Sequence, residues 1–268
     1  MNNRKKITVP LVRERFGGLP LMVCHVIGTR KYSTKTVTSK KPLTFVVDTG
    51  NMRSHCLTLK QLQGIGLSHL LQRNNQISKD NIIGIIILDL KLPCGNVLNN
   101  ELFEVVNDDN QYSLLGHDLG KRNACLTLSQ LGYKLTLSLS QTQITIDRFK
   151  KKSYQMCLVG GHDTDVLCDT GSHLSYIQRD FAELIGFPIL PLAHPLKVYS
   201  AMDGKVSFRF MVVPQIILLK GVTYKTPKLV VYENNFSKSR WNILLGIDFL
   251  EPHQAVFTFG NNSKVLLP

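Results

Sequence analysis

Asp48 and Asp169 are the residues of this chain whose setting points to chemistry. Each ends an apolar, strand-like run and opens an Asp-Thr-Gly turn: Phe45-Val46-Val47-Asp48-Thr49-Gly50 in the first half and Val166-Leu167-Cys168-Asp169-Thr170-Gly171 in the second. The apolar residues bury the strand, and Gly50 and Gly171 let the backbone turn tightly beside the carboxylate. Thr49 and Thr170 each offer a hydroxyl able to lock the partner loop. If the two turns face each other, their carboxyls lie too close for both to ionise. One proton is then shared, leaving a base that can draw a proton from water and an acid that can protonate a carbonyl oxygen. Such a pair titrates as a unit.

The surroundings of the two turns repeat as well. A serine stands six residues after each Asp, Ser54 and Ser175, and an apolar-flanked glycine follows later, Gly66 in Gly64-Ile65-Gly66-Leu67 and Gly186 in Leu184-Ile185-Gly186-Phe187. Leu114-Leu115-Gly116-His117-Asp118-Leu119 echoes Leu244-Leu245-Gly246-Ile247-Asp248-Phe249, and each is followed by a strand pattern, Ala124 to Leu128 and Ala255 to Phe259. A repeat about 120 residues long is a domain repeat and not a solenoid unit.

Taken with their order and spacing, these motifs resemble two retropepsin-type aspartic protease subunits fused in tandem, on the two-lobed plan of pepsin-like enzymes, over residues 18 to 268. The resemblance implies an all-β, two-lobed acid-protease fold in which each lobe is a small barrel-like half with a short helix. It also implies an aspartic endopeptidase that binds an extended peptide between the lobes and works without a cofactor. Asp48 and Asp169 are then catalytic, and Thr49, Gly50, Thr170 and Gly171 support the active-site loops. Gly116 and Gly246 lie in segments threaded behind those loops. Retroviral enzymes usually have Ala after the Gly, whereas this chain has Asn51 and Ser172, both placed where they would face substrate. A single chain carrying both turns implies an active monomer.

Composition sets the remaining bounds. A chain of 268 residues that is 43% hydrophobic has material for two modest cores. The longest apolar run, Ile82 to Leu88, is far too short to span a membrane, and the first residues lack a signal-peptide core. Cys24, Cys56, Cys94, Cys125, Cys157 and Cys168 contain no CxxC pair and mostly sit in strand patterns, which favours free thiols in a reducing, cytoplasmic setting. The scattered histidines offer no metal-ligand spacing, so no metal is expected. Net charge is +13, and residues 1–41 hold ten Lys or Arg against the single acid Glu14. Such an arm suits either nucleic acid or a solvated tail. Two other functions therefore stand beside the endopeptidase: a non-catalytic peptide-binding module, and a nucleoprotein-associated factor of retroelement origin.

The expected organisation is a basic arm over 1–17, a first lobe over 18–140, a linker over 141–152 and a second lobe over 153–268. Short helices are expected within Leu57 to Leu67 and Arg179 to Ile185. Asp118 and Asp248 are expected to cap the helical turns that follow them. A substrate-covering flap is expected chiefly from the second lobe, which has more chain between its two glycine landmarks than the first. There Asp203-Gly204, between Val198 to Met202 and Lys205 to Phe208, is a hairpin signal, and Tyr199 and Met202 would supply apolar contact.

Overall fold

A buried strand needs a hydrogen-bonded neighbour on both sides, and the topology of each half supplies them for the strands that run into Asp48 and Asp169. The computed structural model describes residues 5–15, 18–29, 36–51, 54–73, 82–107, 113–141, 154–200, 204–233, 241–259 and 264–268. The fold is all-β with a few short helical turns. In the first half the strands are β1 (Lys6–Arg13), β2 (Pro20–Thr29), β3 (Thr36–Thr38), β4 (Leu43–Val47), β5 (His55–Thr58), β6 (Gln72–Arg73), β7 (Ile82–Lys91), β8 (Val97–Val106), β9 (Ser113–Leu115), β10 (Cys125–Thr127) and β11 (Tyr133–Ser138). The second half adds β12 (Tyr154–Val159), β13 (His162–Cys168), β14 (Tyr176–Gln178), β15 (Ile189–Ser200), β16 (Gly204–Val212), β17 (Ile216–Leu219), β18 (Val222–Lys225), β19 (Leu229–Tyr232), β20 (Ile243–Leu245), β21 (Val256–Thr258) and β22 (Lys264–Leu266). The helices are α1 (Leu59–Gly64), α2 (Arg179–Leu184) and α3 (Ile247–Leu250).

In the first half β2, β4, β9, β5, β8 and β7 follow one another edge to edge, and β7 pairs back onto β2, which closes a six-stranded barrel. Phe45, Val47, Leu57, Phe103 and Leu115 are fully buried inside it. The second half runs the same circuit. β4 lies parallel to β9 as β13 does to β20, and β5 parallel to β8 as β14 does to β19. The pairing of β2 with the end of β7 is repeated by β12 with β17. The long strand β7, whose register against β8 shifts between Leu88 and Leu90, is replaced by two strands, β16 and β17, separated by Val213, Pro214 and Gln215. Proline has no N–H to give a ladder, so the strand breaks where the first half only bends.

Both expected helices form. Thr58 caps α1, accepting from the Gln61 N–H while the Gln61 side chain accepts from the Thr58 N–H. The repeated glycines have a common cause: Gly66 and Gly186 follow α1 and α2 at φ +79° and +72°, a left-handed conformation that ends a helix cheaply only with glycine.

The ends of the chain depart from the sequence reading. Lys6–Arg13, taken there as part of a basic arm, is strand β1, with Ile7, Val9 and Leu11 buried between exposed residues and paired to β11. Near the other end β21 pairs with β10 of the first half, and β22 with β21. The sheet built on β1, β11 and β10 thus contains strands from both halves. Arg13 also pairs with Glu251 at 2.6 Å and Glu14 with His173 at 3.4 Å, joining the end of β1 to the second half. The linker expected at 141–152 lies, apart from Gln141, outside the described residues. Among the described residues no helix is long and apolar enough to cross a membrane.

Candidate active site

β4 and β13 end at Asp48 and Asp169, and each Asp N–H is taken by the last carbonyl of the strand alongside: Leu115 O at 3.0 Å for Asp48 and Leu245 O at 2.9 Å for Asp169. The two turns then meet. Thr49 Oγ1 donates to Cys168 O at 2.9 Å and accepts the Thr170 N–H at 3.0 Å. Thr170 Oγ1 donates to Val47 O at 2.6 Å and accepts the Thr49 N–H at 3.1 Å. Both threonines are buried, so four reciprocal bonds in a dry setting fix one loop against the other. The approach requires glycine: a Cβ on Gly171 would lie 2.5 Å from Asp48 Cγ, and one on Gly50 2.5 Å from Asp169 Oδ1. The sequence placed these four residues beside two carboxyls, and the structure brings all six together.

The carboxyls lie within hydrogen-bonding reach of each other. Burial, and then the charge and hydrogen bond of Asp169, push Asp48 well above the usual carboxylate range, against the N–H groups of Asn51 and Gly50 that favour its anion. Burial also raises Asp169, opposed by its bonds from Asp48 and the N–H groups of Gly171 and Gly50. Two acids pushed up together, with N–H donors aimed at each, titrate as a coupled pair and not as independent groups.

Each loop is clamped from behind by a three-residue segment. In the first half Leu115 O holds Asp48 and the His117 N–H donates to Asn51 O at 3.3 Å; in the second Leu245 O holds Asp169 and the Ile247 N–H donates to Ser172 O at 2.8 Å. Between these contacts the glycine N–H goes to a side chain, and here the halves differ. The Gly246 N–H donates to Ser175 Oγ at 3.0 Å, and Ser175 Oγ donates to Asp248 Oδ1 at 2.6 Å. The Gly116 N–H instead donates to His55 Nδ1 at 3.3 Å, and His55 Nε2 faces Glu101 Oε2 at 3.3 Å. Glu101 is held in turn by Arg122, whose Nε donates to Oε1 at 2.8 Å. Burial alone would raise the Glu101 carboxyl, but the His55 hydrogen bond and the charge and bond of Arg122 keep it below the usual range.

Asp118 and Asp248 do not act as the expected helix caps, because neither stands at an N-cap position. Gly116, before the helical turn His117–Arg122, and Gly246, before α3, occupy those positions; Asp248 serves Ser175, and Asp118 pairs with Lys121 at 3.2 Å. The sequence reading weighed the histidines as metal ligands and so passed over His55. The signal lay in the spacing: eight residues separate Asp48 from Cys56, the partner of Leu114, and seven separate Asp169 from Tyr176, the partner of Leu244. His55, not Ser54, therefore occupies the place of Ser175.

Among the other residues assigned to substrate, Asn51 donates its N–H to Asp48 Oδ1 at 2.8 Å and its side-chain amide to Ser54 O at 3.3 Å. Ser172 Oγ donates to Leu174 O at 2.8 Å. Both side chains are thus engaged within their own loops. Tyr199 and Gly204 belong to the β15–β16 hairpin, in which Ser200 pairs with Gly204; Met202 and Asp203 lie outside the described residues. Among the described residues no cluster of three or more His, Cys, Asp or Glu side chains is disposed to hold a metal ion.

Residues 156–249 match the family model described as aspartyl protease. The second half thus resembles an aspartyl protease domain. Its Asp169 turn and its clamp, residues 243–249, lie inside the matched span, and the first half builds the same turn and clamp from β4, β5 and β9. No curated protein sequence matches the chain. Among solved structures, the retroviral protease-like domain of Ddi1 from Leishmania major is 16% identical at a TM-score of 0.30, covering 43% of this chain and 94% of its own. A retropepsin-like aspartic protease from Rickettsia conorii is 18% identical at 0.35, covering 51% and 95%. Basic 7S globulin from soybean is 12% identical at 0.49, covering 98% and 95%.

Proposed function

We propose that the chain is an aspartic endopeptidase in which Asp48 and Asp169 form one catalytic pair. The observation that carries this reading is the apposition of two raised carboxyls by the reciprocal Thr49–Thr170 bonds. The ionised member takes a proton from water as the water oxygen attacks the peptide carbonyl, and the protonated member donates to the carbonyl oxygen. The tetrahedral adduct then collapses with proton transfer to the leaving amine. No step requires a metal, so chelators should leave the rate unchanged. A peptide lying in extended form would add its backbone hydrogen bonds as a strand, with apolar pockets selecting side chains. The test is incubation with a denatured protein at mildly acid pH, with and without a transition-state-mimicking aspartic protease inhibitor. Inhibitor-sensitive fragments are expected; an intact substrate throughout the acid range points instead to a peptide-binding module.

Both carboxyls come from one chain, so the active species is a monomer. Specific activity should stay constant as the enzyme is diluted. A fall on dilution, matched by a dimer-to-monomer shift in light scattering, would contradict this.

The flap is assigned to the second half. There β15 extends over twelve residues and is paired to β16 as far as Ser200 and Gly204, whereas among the described residues of the first half β6 pairs only Gln72 and Arg73 with β7. Gly204→Val should therefore slow turnover far more than Asn81→Val, with both proteins folded by circular dichroism. Equal effects would mean two equivalent flaps.

A further inference from the structure

We propose that His55 is a positioning residue for the Asp48 loop, acting as a neutral, Nε2-protonated imidazole whose Nδ1 lone pair holds the Gly116 N–H; the proposal rests on the reading of Asp48 as half of the catalytic pair. A backbone N–H can only donate, so the 3.3 Å contact from Gly116 requires an unprotonated Nδ1. The ring proton then sits on Nε2, directed at Glu101 Oε2. Glu101 is kept an acceptor there because Arg122 occupies its other oxygen and donates also to Asn99 O at 2.7 Å. Arg122, Glu101 and His55 are all buried, and the ring packs 5.3 Å from that of Phe103, so no solvent competes for these bonds. The charged groups therefore select the tautomer, and the tautomer selects the backbone bond.

The consequence reaches Asp48 in one residue. Gly116 stands between Leu115, whose carbonyl holds the Asp48 N–H, and His117, whose N–H holds Asn51 O; Asn51 in turn donates to Asp48 Oδ1. Losing the Gly116 anchor frees the middle of that clamp while leaving the barrel core untouched. The second half shows what the position demands: Ser175 Oγ also accepts from the glycine and donates to a carboxylate. The two halves thus build one relay from different residues, with Glu101 on β8 taking the part of Asp248 on α3.

His55→Asn and His55→Gln separate the two ends of the relay. Asn places an amide oxygen near Nδ1 and can still accept from Gly116, whereas Gln places its amide near Nε2 and keeps only the Glu101 contact. His55→Asn should keep kcat within about threefold of the parent, while His55→Gln should lower kcat by about tenfold or more at little change in KM, the signature of a displaced catalytic group and not of lost substrate contact. Equal kcat in the two variants would overturn the proposal. Nitrogen-15 NMR of the unsubstituted chain reads the same relay without any catalysis: an unprotonated Nδ1 and a protected Gly116 amide are expected, and a protonated Nδ1 would overturn it. Failure of the protease reading would remove the kinetic difference but leave this NMR result standing.

Discussion

Asp48→Asn and Asp169→Asn are each expected to lower peptide cleavage by about 10³-fold or more, since each leaves one carboxyl unable to act as both acid and base. The folded state should not suffer. Both acids are raised above their ordinary values by burial, and Asp48 by its neighbour as well, so the native state binds a proton that the unfolded chain releases more readily. The stability this gives is complete below the unfolded carboxylate value of about 4 and is lost as pH rises through the folded values. An amide does not titrate. Asp48→Asn should therefore match the parent in urea denaturation near pH 3 and exceed it increasingly toward neutrality. A variant less stable than its parent at pH 7 would show that the pair does not share a proton.

Arg122→Met is expected to cost about 3 to 5 kcal/mol, because it leaves the Glu101 charge in the core with no countercharge and only the His55 N–H beside it. The guanidinium also donates to the carbonyls of Asn99 and Leu139, so two part-buried acceptors lose a bond together with the buried Glu101 carboxylate. The midpoint of urea unfolding reads this directly. Pairing the change with Glu101→Gln, which removes the stranded charge, should recover part of the loss. A single variant within 1 kcal/mol of the parent would mean that water reaches Glu101 and that the relay to His55 is weaker than its geometry indicates.

Much of the site was legible in the sequence because its constraints are local. A tight turn beside a carboxylate needs Gly50 and Gly171, and a helix ending in a left-handed residue needs Gly66 and Gly186; these leave fixed spacings that repeat. Thr49 and Thr170 were legible for the same reason. What escaped reading depends on partners far apart in the chain. Lys6–Arg13 carries the alternation Ile7, Val9, Leu11, but its flanking charges and Pro10 made it look like a solvated arm, and its partner β11 begins at Tyr133. His55, Glu101 and Arg122 come together from β5, β8 and the turn after β9, and no spacing rule connects them. The one-residue difference between the halves, which moves the anchor from Ser54 to His55, becomes visible only once Cys56 and Tyr176 are matched by their strand partners. Asp118 and Asp248 repeat in sequence yet serve different groups, because that shift had already handed the first-half anchor to Glu101.

The most direct measurement of the central claim is peptide release from a denatured protein by the intact chain, by Asp48→Asn, by Asp169→Asn, and by an equimolar mixture of the two variants. If one chain builds one site from both carboxyls, the intact chain releases peptides and neither variant nor their mixture does. Release by either variant alone, or recovery of activity in the mixture, where an intact pair can form only between chains, would contradict it.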